Sequence, residues 1–305
     1  MSTTAPLDEI DHKIIELVQG DGRASYQKLS EAIGLSRPAA RARLHRLLDA
    51  RIVQVRGVVH PTVFGLNAYA SAAISVSGSA REVALLLADD DDIPFVSLTA
   101  GNCGLIVELR CSDQHGLGAA LSRISEIPTV TSLQTSIYST IAKDAYWPPK
   151  PISVTEIDDS DRLLLAALQR DGRASYVELG EQTGLSSSAA RARVARLVDG
   201  GAIHIGARIR PDVRNTQHVV GFGLSVRGDP ATVLDDLQQH PNIQYLASAI
   251  GHYDVIGTAI ARSTSEMVDL LDDIRSVDLV RAAQTWAHLT FVKEDYDRSP
   301  VVSTA

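Results

Sequence analysis

The chain has 305 residues, 29 Lys/Arg against 37 Asp/Glu for a net charge of −8, and 45% hydrophobic residues. That length exceeds one small domain, and the apolar share supports ordinary globular cores. No apolar run reaches the roughly 18 residues of a membrane helix. Met1 to Glu9 lacks the pattern of a secretion signal. The two cysteines, Cys103 and Cys111, have neither metal-ligand nor Cys-x-x-Cys spacing, which fits a reducing cytoplasm.

The first predicted helix carries Ile10, Ile14, Leu17 and Val18 on one face, with Asp8 as its N-cap. A second helix starts at Ser25 and turns Tyr26, Leu29 and Ile33 inward, and Gly34 ends it. Ser36 caps a third helix with Ala40, Leu44, Leu47 and Leu48 inward. Helix, short glycine turn, capped helix is the helix-turn-helix pattern. Val53–Val59 then reads as a short connecting strand or wing. From residue 57 the pattern changes to strand, helix, two strands around Gly101, helix, strand. The order is βαββαβ, a ferredoxin-like unit.

Tyr146-Trp147-Pro148-Pro149-Lys150-Pro151 predicts a stiff linker over 146–156. Beyond it the chain repeats itself. Asp21-Gly22-Arg23-Ala24-Ser25-Tyr26 returns as Asp171-Gly172-Arg173-Ala174-Ser175-Tyr176, and 21 of the 40 positions in 11–50 match 161–200 without a gap. Asp158 is the matching N-cap, and Ser175-x-x-Glu178 has the capping-box form. The expected class is α+β, with helix-turn-helix domains at 1–56 and 157–206 and ferredoxin-like domains at 57–145 and 207–298. A unit that needs a partner copy has one in its own chain, so an intrachain pseudo-dimer is expected.

The charge is not evenly spread. Residues 11–56 carry nine Lys/Arg and five Asp/Glu, net +4, and 161–210 carry eight and five, net +3. The ferredoxin-like segments hold the acidic excess. Local charge sets attraction to phosphate, so the two basic segments point to double-stranded DNA. At 100° per residue the third helix turns Pro38, Ala39, Ala42, His45 and Arg46 outward, with Arg41 and Arg43 on its flanks. The matching set is Ser188, Ala189, Ala192, Ala195 and Arg196, flanked by Arg191 and Arg193. With the helix starts Ser36-Arg37 and Ser186-Ser187, these residues, Pro38 and Ala195 apart, are the candidate DNA contacts. Small alanines let a helix sit deep in the major groove and meet thymine methyls, and arginines reach phosphates or guanine edges. Helix-start amides are candidate phosphate donors. Because the copies differ at Pro38/Ser188 and His45/Ala195, an imperfect palindrome is expected.

These residues resemble the Lrp/AsnC, or feast/famine, family of regulators. The resemblance is carried by Leu7-Asp8-Glu9-Ile10-Asp11, Asp21-Gly22-Arg23, Gly34-Leu35-Ser36, Arg43, Arg46-Leu47 and Gly201-Ala202-Ile203. It covers about 7–142 and 157–294, nearly the whole chain, as a fused pair. It implies a transcriptional regulator tuned by a small molecule, an amino acid by class, with further assembly of chains. It also implies effector binding at Gly251-His252-Tyr253-Asp254, where Asp254 would meet an ammonium group and loop amides a carboxylate. Gly101-Asn102 begins the matching first loop, in which Asn102-Cys103-Gly104 lacks the aspartate. Arg51 replaces the glycine expected in a left-handed position after the third helix.

Neither the scattered histidines nor Asp89-Asp90-Asp91-Asp92 has metal spacing, so the aspartates read as a solvated helix end. No catalytic residue, metal or cofactor is assigned, and Cys103 reads as a small, partly buried residue rather than a redox sensor. Two alternatives stand beside the regulator. One is a tetrapyrrole decarboxylase, a class that uses a related fold and fused pairs but needs histidines and arginines facing a large pocket. The other is a sensing or scaffold protein without DNA binding.

Overall fold

The computed structural model describes residues 7–144, 152–154, 156–209 and 218–296. Most of the predicted 146–156 linker lies outside the described residues. The chain forms two compact units, but not one per repeat. The first unit gathers both helix-turn-helix segments, and the second gathers both βαββαβ segments.

In the first unit α1 spans Glu9–Gly20, α2 Tyr26–Ile33, α3 Arg37–Asp49 and β1 Val53–Val59. Their repeats are α6 Asp159–Arg170, α7 Tyr176–Thr183, α8 Ser187–Asp199 and β6 Ile203–Ile209. The helices begin where short polar side chains satisfy their orphan amides. Asp8 and Asp158 form capping boxes with Asp11 and Asp161, and Ser175 forms one with Glu178. Gly34 and Gly184 end α2 and α7 in the left-handed conformation, at φ 68° and 69°. Arg51 takes the same hand, at φ 52°, where the repeat has Gly201.

The connecting strands are the join between the copies. β1 and β6 pair antiparallel along their whole lengths, from Val53 opposite Ile209 to Val59 opposite Ile203. The predicted domain boundaries at 56/57 and 206/207 would cut these strands. They are displaced because each strand belongs to the helix-turn-helix core, and the compact unit runs on through Phe64. One apolar core results, in which Ile14, Leu29, Leu44 and Leu47 share a cluster with Leu164, Leu179, Val194 and Leu197. The Asp-Gly-Arg motifs lock it. Gly22 N–H donates to Ile205 O at 2.7 Å and Gly172 N–H to Val55 O at 3.0 Å. A Cβ on Gly22 would lie 2.6 Å from Val55 Cγ1, so only glycine allows this approach. Arg23 then reaches across to the carbonyls of Gly172 and Ala174, and Arg173 reaches back to Gly22 O at 2.6 Å. Each guanidinium also lies over the other copy's tyrosine, Arg23 over Tyr176 at 4.8 Å and Arg173 over Tyr26 at 5.6 Å.

A histidine sits in the same seam. His204 on β6 is half-buried with Nε2 3.1 Å from Gln19 O, and burial pushes its pKa below the ordinary imidazole value. The unfolded chain therefore binds a proton here more readily than the folded one. Its contribution to stability is present above about pH 6.5 and is lost as pH falls from there through the folded pKa. Thermal melts between pH 7.5 and 5.5 are expected to show that loss, and His204→Gln to flatten it. An unchanged slope in His204→Gln would refute the assignment.

In the second unit the first repeat runs β2 Ala68–Val76, α4 Ala80–Ala88, β3 Phe95–Ala100, β4 Leu105–Cys111, α5 Gln114–Ser125 and β5 Val130–Asp144. The second runs β7 His218–Val226, α9 Pro230–Leu237, β8 Ile243–Gly251, β9 Val255–Ala261, α10 Thr264–Ser276 and β10 Val280–Glu294. Each sheet is antiparallel with the order β3-β4-β2-β5 or β8-β9-β7-β10, the expected ferredoxin-like topology. The sheets join edge to edge, β5 to β8 and β10 to β3, and so close an eight-stranded barrel without open edges. One face of each sheet is covered by its own helices, giving two apolar clusters.

The inner faces meet in a third cluster that contains Ala73, Cys103, Ile106, Tyr253, Ile256 and Trp286. Its filling is unequal. Tyr253 and Trp286 stack at 5.9 Å between ring centroids, while their counterparts are Cys103 and Ser136. Gly221 and Gly223 make room for the rings, since a Cβ there would lie 2.0 Å from Trp286 Nε1 and 2.5 Å from Tyr253 Cγ. The rings of the second copy thus lie over its own glycines and share the cluster with Ala73, Cys103 and Ile106 of the first.

Candidate functional site

Helices α3 and α8, the third helix of each copy, share a surface pattern because they share a buried one. Ala40, Leu44 and Leu47, and Ala190, Val194 and Leu197, are buried. That leaves Arg37, Arg41, Ala42 and Arg46 exposed on α3, and Ser187, Ser188, Arg191, Ala192 and Arg196 on α8. Ala39, Ala189 and His45 are half-buried at the same surfaces. Ser36 and Ser186 serve as N-caps, their hydroxyls accepting from Ala39 and Ala189 N–H at 3.4 and 3.2 Å.

The arginines divide into two groups that the sequence reading had placed together. Arg43 and Arg46 turn back onto α1. Arg43 Nη1 lies 2.6 Å from Asp8 Oδ2 and 3.0 Å from Asp11 Oδ1, and Arg46 Nη2 lies 2.5 Å from Asp11 Oδ2. The repeat reproduces this, with Arg193 on Asp158 and Asp161 at 2.7 and 3.0 Å and Arg196 on Asp161. Asp11 and Asp161 are only 1% exposed, so these arginines neutralise buried carboxylates and fix α3 and α8 on α1 and α6. The Arg43 hydrogen bond is the largest cause holding Asp8 below the usual carboxylate range, and the Asp161 amide, then Arg193, does the same for Asp158. Arg41 and Arg191 are exposed, and Arg41 lies over Tyr26 at 5.8 Å. The expected flank positions of Arg43 and Arg193 are therefore structural as well as superficial.

The two loops expected to bind effector have the predicted glycines in a conformation few other residues adopt, Gly101 and Gly251 both at φ 135°. A Cβ at Gly251 would meet Thr135 O at 2.3 Å. Asp254 has an internal role: its Oδ2 accepts the Val226 N–H at 2.7 Å. Tyr253 does not face outward with the rest of its loop. It is 7% exposed, and its hydroxyl donates to Gln284 Oε1 at 2.7 Å. Asn102 Nδ2 donates to the same oxygen at 2.9 Å, so Gln284 ties the first loop to the second. Nothing in the local motif marks Gln284. His252 and Asn102 are exposed, and burial raises the Cys103 thiol pKa.

Sequence reasoning also missed a buried charge pair on the barrel's inner face. Glu108 Oε1 accepts from Arg110 Nε at 2.6 Å, and the Arg110 guanidinium lies over Tyr296 at 4.4 Å. Burial opposes the Arg110 charge, but Glu108 together with Tyr296 and Asp144 holds the pKa above its usual value. Burial also pushes the neighbouring Tyr138 phenol well up. The counterparts Thr258 and Ile260 are uncharged. The signal was present as two charges, Glu108 and Arg110, in an otherwise apolar strand.

An AsnC-type helix-turn-helix domain is recognised twice, at residues 7–48 and 157–198. The chain is 31% identical over 134 residues to the HTH-type transcriptional regulator FL11 of Pyrococcus horikoshii, covering 89% of that protein and 43% of this chain. The chain belongs to the Lrp/AsnC family. It is likewise 30% identical over 148 residues to the proline dehydrogenase transcriptional activator of Rhizobium radiobacter, covering 94% of it and 46% of this chain. Each relative matches about half of this chain, which is a tandem Lrp/AsnC-type transcriptional regulator. The siroheme decarboxylase NirDL is similar in structure over 94% of this chain and 93% of its own, with a TM-score of 0.63 at 12% identity. At that identity the likeness is one of fold. Among the described residues no helix is long and apolar enough to cross a membrane.

Proposed function

We propose that this Lrp/AsnC regulator binds specific double-stranded DNA through α3 and α8 and is tuned by a small molecule, an amino acid by class. The observation that carries the reading is the paired helix-turn-helix unit, in which two equivalent helices are held by one core and expose Arg41 and Arg191 beside small residues. Helix-start amides and arginines position the protein on phosphates, and Ala39, Ala42, Ala189 and Ala192 allow close approach to base edges. The proposed site is cytoplasmic, and further assembly of chains belongs to the same reading. Genomic footprinting with purified protein, repeated with each amino acid, tests it. Protected sites whose occupancy changes with one amino acid support it, and a Soret band on the purified protein would oppose it.

Effector binding is placed at Gly251-His252-Tyr253-Asp254 and, facing it through Gln284, at Gly101-Asn102. Loop amides would take a carboxylate and Asp254 Oδ1 an ammonium group. Asp254→Asn separates this from the carboxylate's internal bond, because an amide oxygen can still accept the Val226 N–H. Loss of one charged hydrogen bond costs about 1.5–3 kcal/mol. Calorimetry against the amino-acid panel is expected to show at least tenfold weaker binding in Asp254→Asn with an unchanged melting temperature. Equal affinities would move the site elsewhere.

A further inference from the structure

Helices α3 and α8 differ at five positions. Leu44/Val194 is buried and Leu48/Val198 half-buried, so the differences that reach the reading surface are Arg37/Ser187, Pro38/Ser188 and His45/Ala195. These are not scattered changes. Two fall in the first turn, where a helix meets phosphate, and one falls on the base-facing side. The structure also treats His45 specially: Nε2 lies 3.1 Å from the Tyr26 hydroxyl, and the two rings stack at 6.1 Å. Tyr26 itself lies under Arg41 and under Arg173 of the other copy. The His45 ring is therefore pinned by a tyrosine that is itself pinned. In the second head Ala195 offers only a methyl group.

Resting on the DNA-binding reading above, we propose that this chain reads an asymmetric operator in one orientation, with His45 as the residue that distinguishes the half-sites. With the Tyr26 hydroxyl donating to Nε2, His45 carries its proton on Nδ1. It is then a donor toward guanine O6 or N7 in the major groove. At the equivalent base pair the second head places the Ala195 methyl, which suits the thymine methyl. Arg37 gives the first head a cation at the helix start. The second head offers the Ser188 hydroxyl and an amide that Pro38 lacks. Both heads belong to one chain and are joined through β1 and β6 in one core. Each chain thus always presents one head of each kind.

Selection from random-sequence duplexes by the full chain tests this. The wild type is expected to enrich two unlike half-sites, one with guanine where the other has thymine. His45→Ala is expected to lose discrimination at that guanine by about tenfold or more and to leave the other half-site unchanged. Ala195→His, which keeps the first head intact, is expected to convert the thymine half-site toward guanine. A perfect palindrome from the wild type, or a guanine preference that survives His45→Ala, overturns the inference while leaving DNA binding standing. Absence of any enriched sequence overturns the DNA-binding reading and this inference with it.

Discussion

Glu108→Ala is expected to destabilise the barrel unit by about 3–5 kcal/mol, because it strands Arg110 as a charge without its partner. Both side chains are well buried, Arg110 at 11% exposure and Glu108 at 9%, so solvent screens little of the loss. For a unit of this size that corresponds to a fall in melting temperature of roughly 6–20 °C. The second copy supplies the control. Changing both residues to uncharged ones, Glu108→Val with Arg110→Ile as at position 260, removes the charges together and should recover most of the stability, since replacing a buried pair by apolar groups is often nearly neutral. Calorimetric melts of the three proteins decide the matter. A double variant as unstable as the single one would mean that packing against Tyr296 and Tyr138, not charge pairing, dominates here.

The second large effect divides the recognition-helix arginines. Arg37, Arg41 and Arg191 are exposed cations on the proposed DNA face. If three phosphates are neutralised, the logarithm of affinity falls with the logarithm of salt at a slope of about −2.7, or roughly fortyfold between 50 and 200 mM. Arg41→Ala and Arg191→Ala should each shallow that slope by about one unit at nearly constant melting temperature. Arg46→Ala and Arg196→Ala should instead lower the melting temperature, because Asp11 and Asp161 lose a partner while buried. Titrations at four salt concentrations, with melts of the same proteins, separate the groups. If Arg46→Ala shallows the slope and leaves stability alone, the assignment of that arginine to α1 is wrong.

Much of the fold was legible because its signals are local. Asp8, Ser25, Ser36 and their copies announce helix starts through side chains that bond amides three residues on. Gly34 and Gly184 announce helix ends through a backbone hand that side chains disfavour. The βαββαβ order followed from the changes of period. What escaped was set by partners far away in sequence. Val53–Val59 reads as a wing until Ile203–Ile209 is seen beside it. Arg23 is only part of a repeated motif in the sequence, and its partners Gly172 and Tyr176 lie about 150 residues away. Tyr253 reads as a loop residue because only the opposed Cys103 and the glycines at 221 and 223 show that the interior has room for it. The pairing of Arg43 and Arg46 with Asp8 and Asp11 did leave a trace. The same two aspartates and two arginines recur at the same spacing as Asp158, Asp161, Arg193 and Arg196. A surface arginine needs no such companions, so their joint recurrence marks a structural unit.

The central claim is that one chain carries two DNA-reading heads side by side. Hydroxyl-radical footprinting of the intact protein on its best genomic site tests it most directly. The account predicts two protected patches on one face of the duplex, separated by about one helical turn or a whole multiple of it, at a stoichiometry that supplies two heads per chain. A single protected patch, or none at low salt, would contradict it.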